Sequence, residues 1–497
     1  MNRHHLVSSF VGALFLLAFE PFGVSILAAV SIGYLFILCL TQPPKIVAQC
    51  YFCFGLILFA SGLYWLYISI HTVSGGPIWL AILLIAILSV FMALYYAITG
   101  YLISYSYTKF QSKSLTLLII APSIWGLIEW VRGWLLSGFP WFSVGYSQTN
   151  TYLSNWAPIG GIYMVTWVCG ICAGLLALIY LGNKQQSYKG AGVLIAVIIV
   201  SLLLGTFSWT QSTGEKLTVS LVQGGVQQEK KWLPSEFRKT LDLYKSSLAA
   251  ASKSDLVVWP EVAIPGIAAN VEPYLDDVRK IIKDNKIQLL LLGILTSDKA
   301  SGKIRNSMIA IGSNDVVYHK RHLLPFGEYF PVPDMVRSWL QSIGLPNRDI
   351  ERGKTVQSMP RVSNVLIAPS ICYEDIFGSE QLGYFPKANV LVNITNNAWF
   401  GKSFASEQHF QMSRMRAIET GRYLLRATNT GVTAIVGPNG TVQKHAESFK
   451  FSVLSGTFEA MIGSTPYIKY GNSLIVILMI LNLFLGYFWG RNRIKYR

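Results

Sequence analysis

Residues 364–378 read NVLIAPSICYEDIFG, an apolar run that ends on Cys372 and passes straight into Tyr373, Glu374 and Asp375. A run of that length, opened by Asn364, reads as a buried strand, and its end presents a thiol. Cys372 is also the only cysteine after Thr210. A cysteine at a strand-to-loop elbow suits nucleophilic attack, because the next backbone N–H, that of Tyr373, can face a carbonyl oxygen. Such a nucleophile needs a base and a cation, and functional residues of layered folds gather at strand ends.

Similar runs recur through residues 211–470: KLTVSLVQ, DLVVWP, IQLLLLGIL, SMIAIG, NVLVNIT and TAIVGPNGTVQ, each bounded by Gly, Pro or Asn. Each reads as one buried strand. Between them lie helical patterns, clearest in SEQHFQMSRMRAIETGRYLLRAT, with Phe410, Met412, Met415, Ile418 and Leu425 as its apolar positions. The block is therefore an α/β layered domain. VVWPEVAIPG places Glu261 directly after a strand, between Pro260 and Pro265, where a rigid apolar turn suits a general base. VVYHKRHLLPFGEYFP places Lys320 after another strand and Glu328 in an aromatic, proline-bound turn. An ammonium beside a thiolate lowers its pKa and steadies a developing oxyanion. Alone, Glu261 reads more readily as an exposed loop glutamate and Lys320 as part of a solvated Lys-Arg pair; together with Cys372 they supply base, cation and nucleophile.

The whole chain has a different character. Of 497 residues 52% are apolar and only 13% charged, with mean hydropathy +0.42, where soluble domains carry about 25% charged residues. This composition marks a membrane protein. Residues 211–470 hold 30 Lys/Arg and 23 Asp/Glu, whereas the other 237 residues hold 11 basic residues and two acids, Glu20 and Glu129. The chain thus divides into a membrane domain at 1–210 with seven spans, a catalytic block at 211–470 large enough for its own core, and a last span with a basic tail at 471–497. The apolar segments are 6–19, 23–40, 46–70, 77–107, 114–130, 160–181, 190–209 and 472–489, about eight helices. Glu20-Pro21 splits the first two, since an acid and a proline are costly inside one span. The first helix resembles a signal peptide after MNRHH, but no small-residue cleavage site follows, so it reads as an uncleaved span.

Basic residues in short connections set orientation, because Lys and Arg stay on the cytoplasmic side. One side collects Arg3, Lys45, Lys109, Lys113, Lys184, Lys189, Arg491, Arg493, Lys495 and Arg497; the other has Arg132 alone. Both termini are then cytoplasmic and the catalytic block external, periplasmic in a bacterial inner membrane. The net charge of +16 falls largely on the membrane part, and the block shows no basic run, which argues for an anionic bilayer nearby rather than nucleic acid. Two CxxC spacings, Cys50 to Cys53 and Cys169 to Cys172, lie in apolar helix without His or acidic neighbours and read as packing residues. Aromatic loops SGLYWLYISIHTVSGG and SGFPWFSVGYSQTNTYLSNWAP fit interfacial anchoring.

Glu261 in WPE, Lys320 in YHK and Cys372 in CYE, in that order, resemble the Glu-Lys-Cys triad of the nitrilase, or carbon-nitrogen hydrolase, superfamily. QGGVQQEKKW, KRHLLPFGEYFP, NNAWFG, QHFQMSRMRAIETGRYLLRATNTG and GPNG, with seven spans before and one after, are similar to its apolipoprotein N-acyltransferase branch over nearly the whole chain. The resemblance implies an αββα sandwich and assigns the nucleophile to Cys372, the base to Glu261 and the oxyanion lysine to Lys320. It implies assisting roles for Trp232, Glu328, Tyr373 and Glu374. One departure stands out: where the family usually has Asp in this motif, TNNAWFG has Asn397, which puts a charge role there in doubt.

The activity implied is ping-pong acyl transfer without metal or cofactor. Cys372 takes an acyl chain from a membrane phospholipid, sn-1 of phosphatidylethanolamine, as a thioester. The α-amino group of the diacylglyceryl-cysteine of an apolipoprotein then accepts it. The implied partners are that phospholipid, the apolipoprotein and the bilayer, with the enzyme a monomer. A membrane-tethered amidase or nitrilase, and a non-catalytic membrane protein with a degenerate nitrilase domain, are the alternatives. Eight spans exceed what tethering needs, and the complete triad speaks against degeneration.

Overall fold

Alternation of inward and outward residues along the strands of 211–470 is what builds the catalytic half. In the computed structural model, which describes residues 3–298, 301–312, 315–342 and 349–495, the chain forms two compact units. One comprises Met1–Tyr67, Ile78–Ser208 and Lys469–Arg497, and the other Ile68–Pro77 and Trp209–Ile468. Arg497, counted among the cytoplasmic basic residues, lies outside the described residues.

The first unit is helical. Among the described residues six helices are long and apolar enough to cross a bilayer: Pro44–Gly62, Ile78–Phe110, Lys113–Arg132, Tyr152–Leu181, Lys184–Leu204 and Ser473–Arg491. The other two expected spans form shorter helices, Arg3–Leu16 and Ile26–Thr41. At about 1.5 Å per residue, the 14 residues of the first fall short of the roughly 30 Å of hydrocarbon. Arg132, the one basic residue the sequence assigns to the external side, is 1% exposed. Its guanidinium donates to the carbonyls of Phe139 (3.0 Å) and Trp141 (2.6 Å) and to Ser143 Oγ (3.1 Å). Glu129, one turn away, accepts from Trp125 Nε1, the Val144 N–H and Thr166 Oγ1 at 3.0–3.1 Å. Both buried charges are thus satisfied within the unit, as burial demands.

The second unit is a two-sheet sandwich. Its strands in chain order are β1 (Thr210–Gln223), β2 (Leu256–Val258), β3 (Ile264–Ile267), β4 (Leu289–Ser297), β5 (Ile304–Gly312), β6 (Val317–His319), β7 (Arg361–Val362), β8 (Val365–Ile371), β9 (Val390–Thr395), β10 (Tyr423–Thr428), β11 (Ala434–Val436), β12 (Val442–His445) and β13 (Ser452–Gly463). One sheet runs β13-β1-β2-β4-β5-β6, with β3 against β4, and the other β12-β11-β10-β9-β8-β7. The period of two sorts the side chains. Leu217, Val219 and Leu221 of β1, Val258 of β2 and Leu289 and Leu291 of β4 enter one core with Ile367, Val390, Val392, Ile394 and Leu425 of the other sheet. Val222, Val257, Leu290 and Leu292 face the opposite way, onto Tyr244 and Leu248 of helix Pro234–Ala250 and Leu275, Val278 and Ile282 of helix Glu272–Asp284. The layered α/β class expected from the sequence is present.

Two sequence readings need correction. The helical pattern does not extend to Leu425: helix Ala405–Thr420 stops at Gly421, whose φ of 60° gives a left-handed cap that side-chain-bearing residues resist, and Leu425 belongs to β10. TAIVGPNGTVQ is a hairpin of β11 and β12 rather than one strand, because Gly437 and Gly440 close a turn through paired backbone bonds with Thr441 and each other.

Candidate active site

Three strand ends converge. β8 ends at Ile371, and Cys372 follows with φ 53°, a left-handed conformation that is strained for a residue with a side chain. The strain is held in place by hydrogen bonds. Glu374 Oε2 accepts from the Ile371 N–H at 2.6 Å, and Asn393 Nδ2 of β9 donates to the Cys372 carbonyl at 3.3 Å. Asp375 anchors the same short turn, accepting from His409 Nε2 (2.7 Å), Ser413 Oγ (2.6 Å) and Arg426 Nη1 (2.7 Å).

Glu261 sits in the turn after β2, 6% exposed. Its Oε1 accepts from Asn306 Nδ2 at 2.7 Å and lies 3.4 Å from Lys320 Nζ, while Oε2 accepts from the Asn396 N–H at 2.9 Å. Gly293 in β4 makes this possible: a Cβ there would meet the Pro260 carbonyl and stand 2.6 Å from Glu261 Cα. Lys320, 2% exposed, also donates to Glu328 Oε1 at 2.9 Å. Asn306 Nδ2 reaches that same oxygen at 3.1 Å. Two carboxylates, Glu261 and Glu328, therefore form one cluster with Lys320 and Asn306.

The electrostatics assign each group a resting state. Burial alone pulls the Lys320 ammonium down, but the charges of Glu328 and Glu261 outweigh it and hold the group above the ordinary lysine value. Lys320 draws the thiol pKa down, the direction expected of a neighbouring ammonium, but it does not decide the net shift. Burial pushes the Cys372 thiol up to about 12 and the Glu261 carboxylate adds to the shift, with Lys320 and a hydrogen bond from Thr395 opposing it. Burial thus favours the protonated thiol, and a nucleophilic role for Cys372 requires that its proton pass to a base.

Residues 11–175 match the apolipoprotein N-acyltransferase N-terminal domain, and residues 218–467 match the carbon-nitrogen hydrolase family. Proteins named apolipoprotein N-acyltransferase from Methylococcus capsulatus and Nitrosomonas europaea are each 36% identical, over 93% and 98% of this chain and 91% and 98% of their own lengths. That from Chromobacterium violaceum is 34% identical over 98% of this chain and 94% of its own. The chain belongs to the apolipoprotein N-acyltransferase family.

Against the assisting positions that the family resemblance marks, the structure is uneven. Glu328 lies in the cluster. Glu374 holds its framework: it accepts from Tyr318 OH (2.9 Å) and from the Arg321 (2.6 Å) and His322 (3.2 Å) N–H groups, and burial raises its pKa against the opposing Arg321 charge. Tyr373 is buried, 5.1 Å ring to ring from Phe377 and 5.7 Å from His322. Trp232 stands at the surface, 51% exposed. Asn397 is fully buried, with Oδ1 accepting from Thr395 Oγ1 at 3.1 Å, which ties it to the hydroxyl that touches the thiol. Asn306, Asn396 and Gly293 escaped the sequence reading. The one visible signal for two of them is a break in an apolar strand: Asn306 in IRNSMIAIG and Gly293 in LLLLGILTS.

Proposed function

We propose that this N-acyltransferase moves a fatty acyl chain from sn-1 of phosphatidylethanolamine through a Cys372 thioester to the α-amino group of the N-terminal diacylglyceryl-cysteine of apolipoproteins, in a bacterial inner membrane with the catalytic unit periplasmic. What carries the mechanism is the Glu261–Lys320 pair, 3.4 Å apart, beside a thiol that burial keeps protonated. Glu261 accepts the Cys372 proton as sulfur attacks the ester carbonyl. The oxyanion that forms is met by the Lys320 ammonium; one such donor contributes about 10²–10³ in rate. Collapse breaks the ester C–O bond, and Glu261 returns its proton to the departing lysophospholipid. The neutral acceptor amine then attacks the thioester; Glu261 takes the proton that nitrogen sheds, the C–S bond breaks, and Glu261 passes that proton to the departing Cys372 sulfur. Glu328 keeps Lys320 charged and placed, and Tyr373, Glu374 and Trp232 assist around it.

The purified protein, mixed with phosphatidylethanolamine and no acceptor, gains the mass of one fatty acyl group on Cys372, and a diacylglyceryl-cysteine peptide removes it. Cys372→Ala gains none. An adduct of a small acyl group from a soluble amide, with none from lipid, gives the amidase reading instead.

A further inference from the structure

The carboxylates of the cluster outnumber its ammonium: Glu261 and Glu328 both face Lys320. A second buried cation lies on the other side of Glu261. Lys231, 2% exposed, ends the short helix Gln228–Lys231 and donates from Nζ to the backbone carbonyl of Glu261 at 3.2 Å. The same helix is fastened to the base a second time. Gln228 Oε1 accepts from Asn396 Nδ2 at 2.8 Å, and the Asn396 N–H donates to Glu261 Oε2 at 2.9 Å. A lysine is seldom this buried without a charge partner, and the charge facing Lys231 is Glu261.

We propose that Lys231 is a positioning residue of the acyl transfer, a second internal cation that fixes the Glu261 turn through its main-chain carbonyl and sets its charge against that carboxylate. Its environment agrees with a strained charge: burial lowers the Lys231 ammonium to about 8, with the Glu261 charge opposing that fall. The division of labour follows from placement. Lys320 touches the carboxylate oxygens and serves the oxyanion, whereas Lys231 holds the main chain behind them and does not reach the substrate. Because helix Gln228–Lys231 leads directly into the exposed Trp232, the same contact sets where that side chain stands relative to the base. The inference rests on the reading of Glu261 as the base.

The test is the rate of Cys372 acyl-enzyme formation, followed by intact mass across a pH series, for the full-length protein with phosphatidylethanolamine vesicles. Lys231→Gln keeps a donor for the Glu261 carbonyl but removes the charge, Lys231→Arg keeps both, and Lys231→Met removes both. The groups whose titration bears on the profile are Glu261, which faces Lys231, and Lys320, Glu328 and Cys372 beyond it. With the charge gone, the acid limb of the profile moves up by about one pH unit, roughly a tenfold loss of rate at its foot, in both Lys231→Gln and Lys231→Met; Lys231→Arg restores the parent limb. Should Lys231→Met not fold, the pair Lys231→Gln and Lys231→Arg decides alone. A Lys231→Gln profile that overlays the parent overturns the proposal, as does a Lys231→Arg profile displaced as far as that of Lys231→Gln. Glu261→Gln is run beside them: if it forms acyl-enzyme at the parent rate, the reading of Glu261 as base is what fails.

Discussion

Glu374 accepts a hydrogen bond from the Arg321 N–H at 2.6 Å. That bond ties the residue after the candidate oxyanion lysine to the residue two past the candidate nucleophile. With the Ile371 N–H at 2.6 Å and Tyr318 OH at 2.9 Å on the same carboxylate, Glu374 joins the end of β6 to the end of β8. Lys320 and Cys372 come from different sheets, and this carboxylate fixes their separation.

Glu374→Gln therefore has a definite expected effect. An amide in place of the carboxylate turns one acceptor into a donor, so one of the buried N–H groups it serves loses its partner, at about 1–3 kcal/mol. Thermal unfolding of the variant occurs at lower temperature than the parent, and acyl-enzyme forms more slowly at temperatures where it is still folded. A variant with parent-like melting and acylation removes the positioning role.

Lys320→Ala suppresses the first half-reaction. The oxyanion loses its donor and the thiol loses a charge that opposes its upward shift. Intact mass after mixing with phosphatidylethanolamine is the readout, with a loss of at least about 10²-fold expected. Acyl-enzyme accumulating at the parent rate contradicts the role given to Lys320.

Glu261→Gln separates reactivity from catalysis. The Glu261 charge pushes the Cys372 thiol up, so neutralising it lowers the pH at which the thiolate appears. At neutral pH, where the parent thiol is mostly protonated, iodoacetamide, which reads the thiolate fraction, alkylates Cys372 faster in Glu261→Gln than in the parent. The same variant is slow in acyl transfer, having lost its proton acceptor. Slower alkylation in the variant contradicts the sign of this coupling.

Gly293→Ala tests the seat of the base. Its Cβ would stand 2.6 Å from Glu261 Cα and from Val262 N, so the turn moves off β4 and the carboxylate with it. A displacement near 1 Å costs about a hundredfold in rate. Rates within a few-fold of the parent show that the turn adapts without moving its carboxylate.

Reporters fused after Lys113 are expected to read cytoplasmic and those inserted at Ser235 external, from the ten-to-one bias of basic residues. A cytoplasmic signal at Ser235 reverses the compartment and with it the lipoprotein substrate.

Much of this protein is legible in one dimension. Membrane helices announce themselves by length and apolarity, because the bilayer is a solvent of fixed thickness, and buried strands by short apolar runs between Gly, Pro and Asn. Glu261, Lys320 and Cys372 were visible because each closes such a run. What the linear pattern lacks is the partner of each charge. Arg132 reads as the one basic residue on the external side, but that it is buried and bonded to carbonyls up to nine residues ahead follows only from the fold. The partners of Asn306, Asn396 and Lys231 are not legible there, since a hydrogen bond across a sheet or between loops links positions whose spacing follows from topology alone. The resting state of Cys372 was likewise decided in three dimensions: the sequence places a lysine where it lowers the thiol pKa, but burial and the facing Glu261 carboxylate, both products of packing, outweigh it.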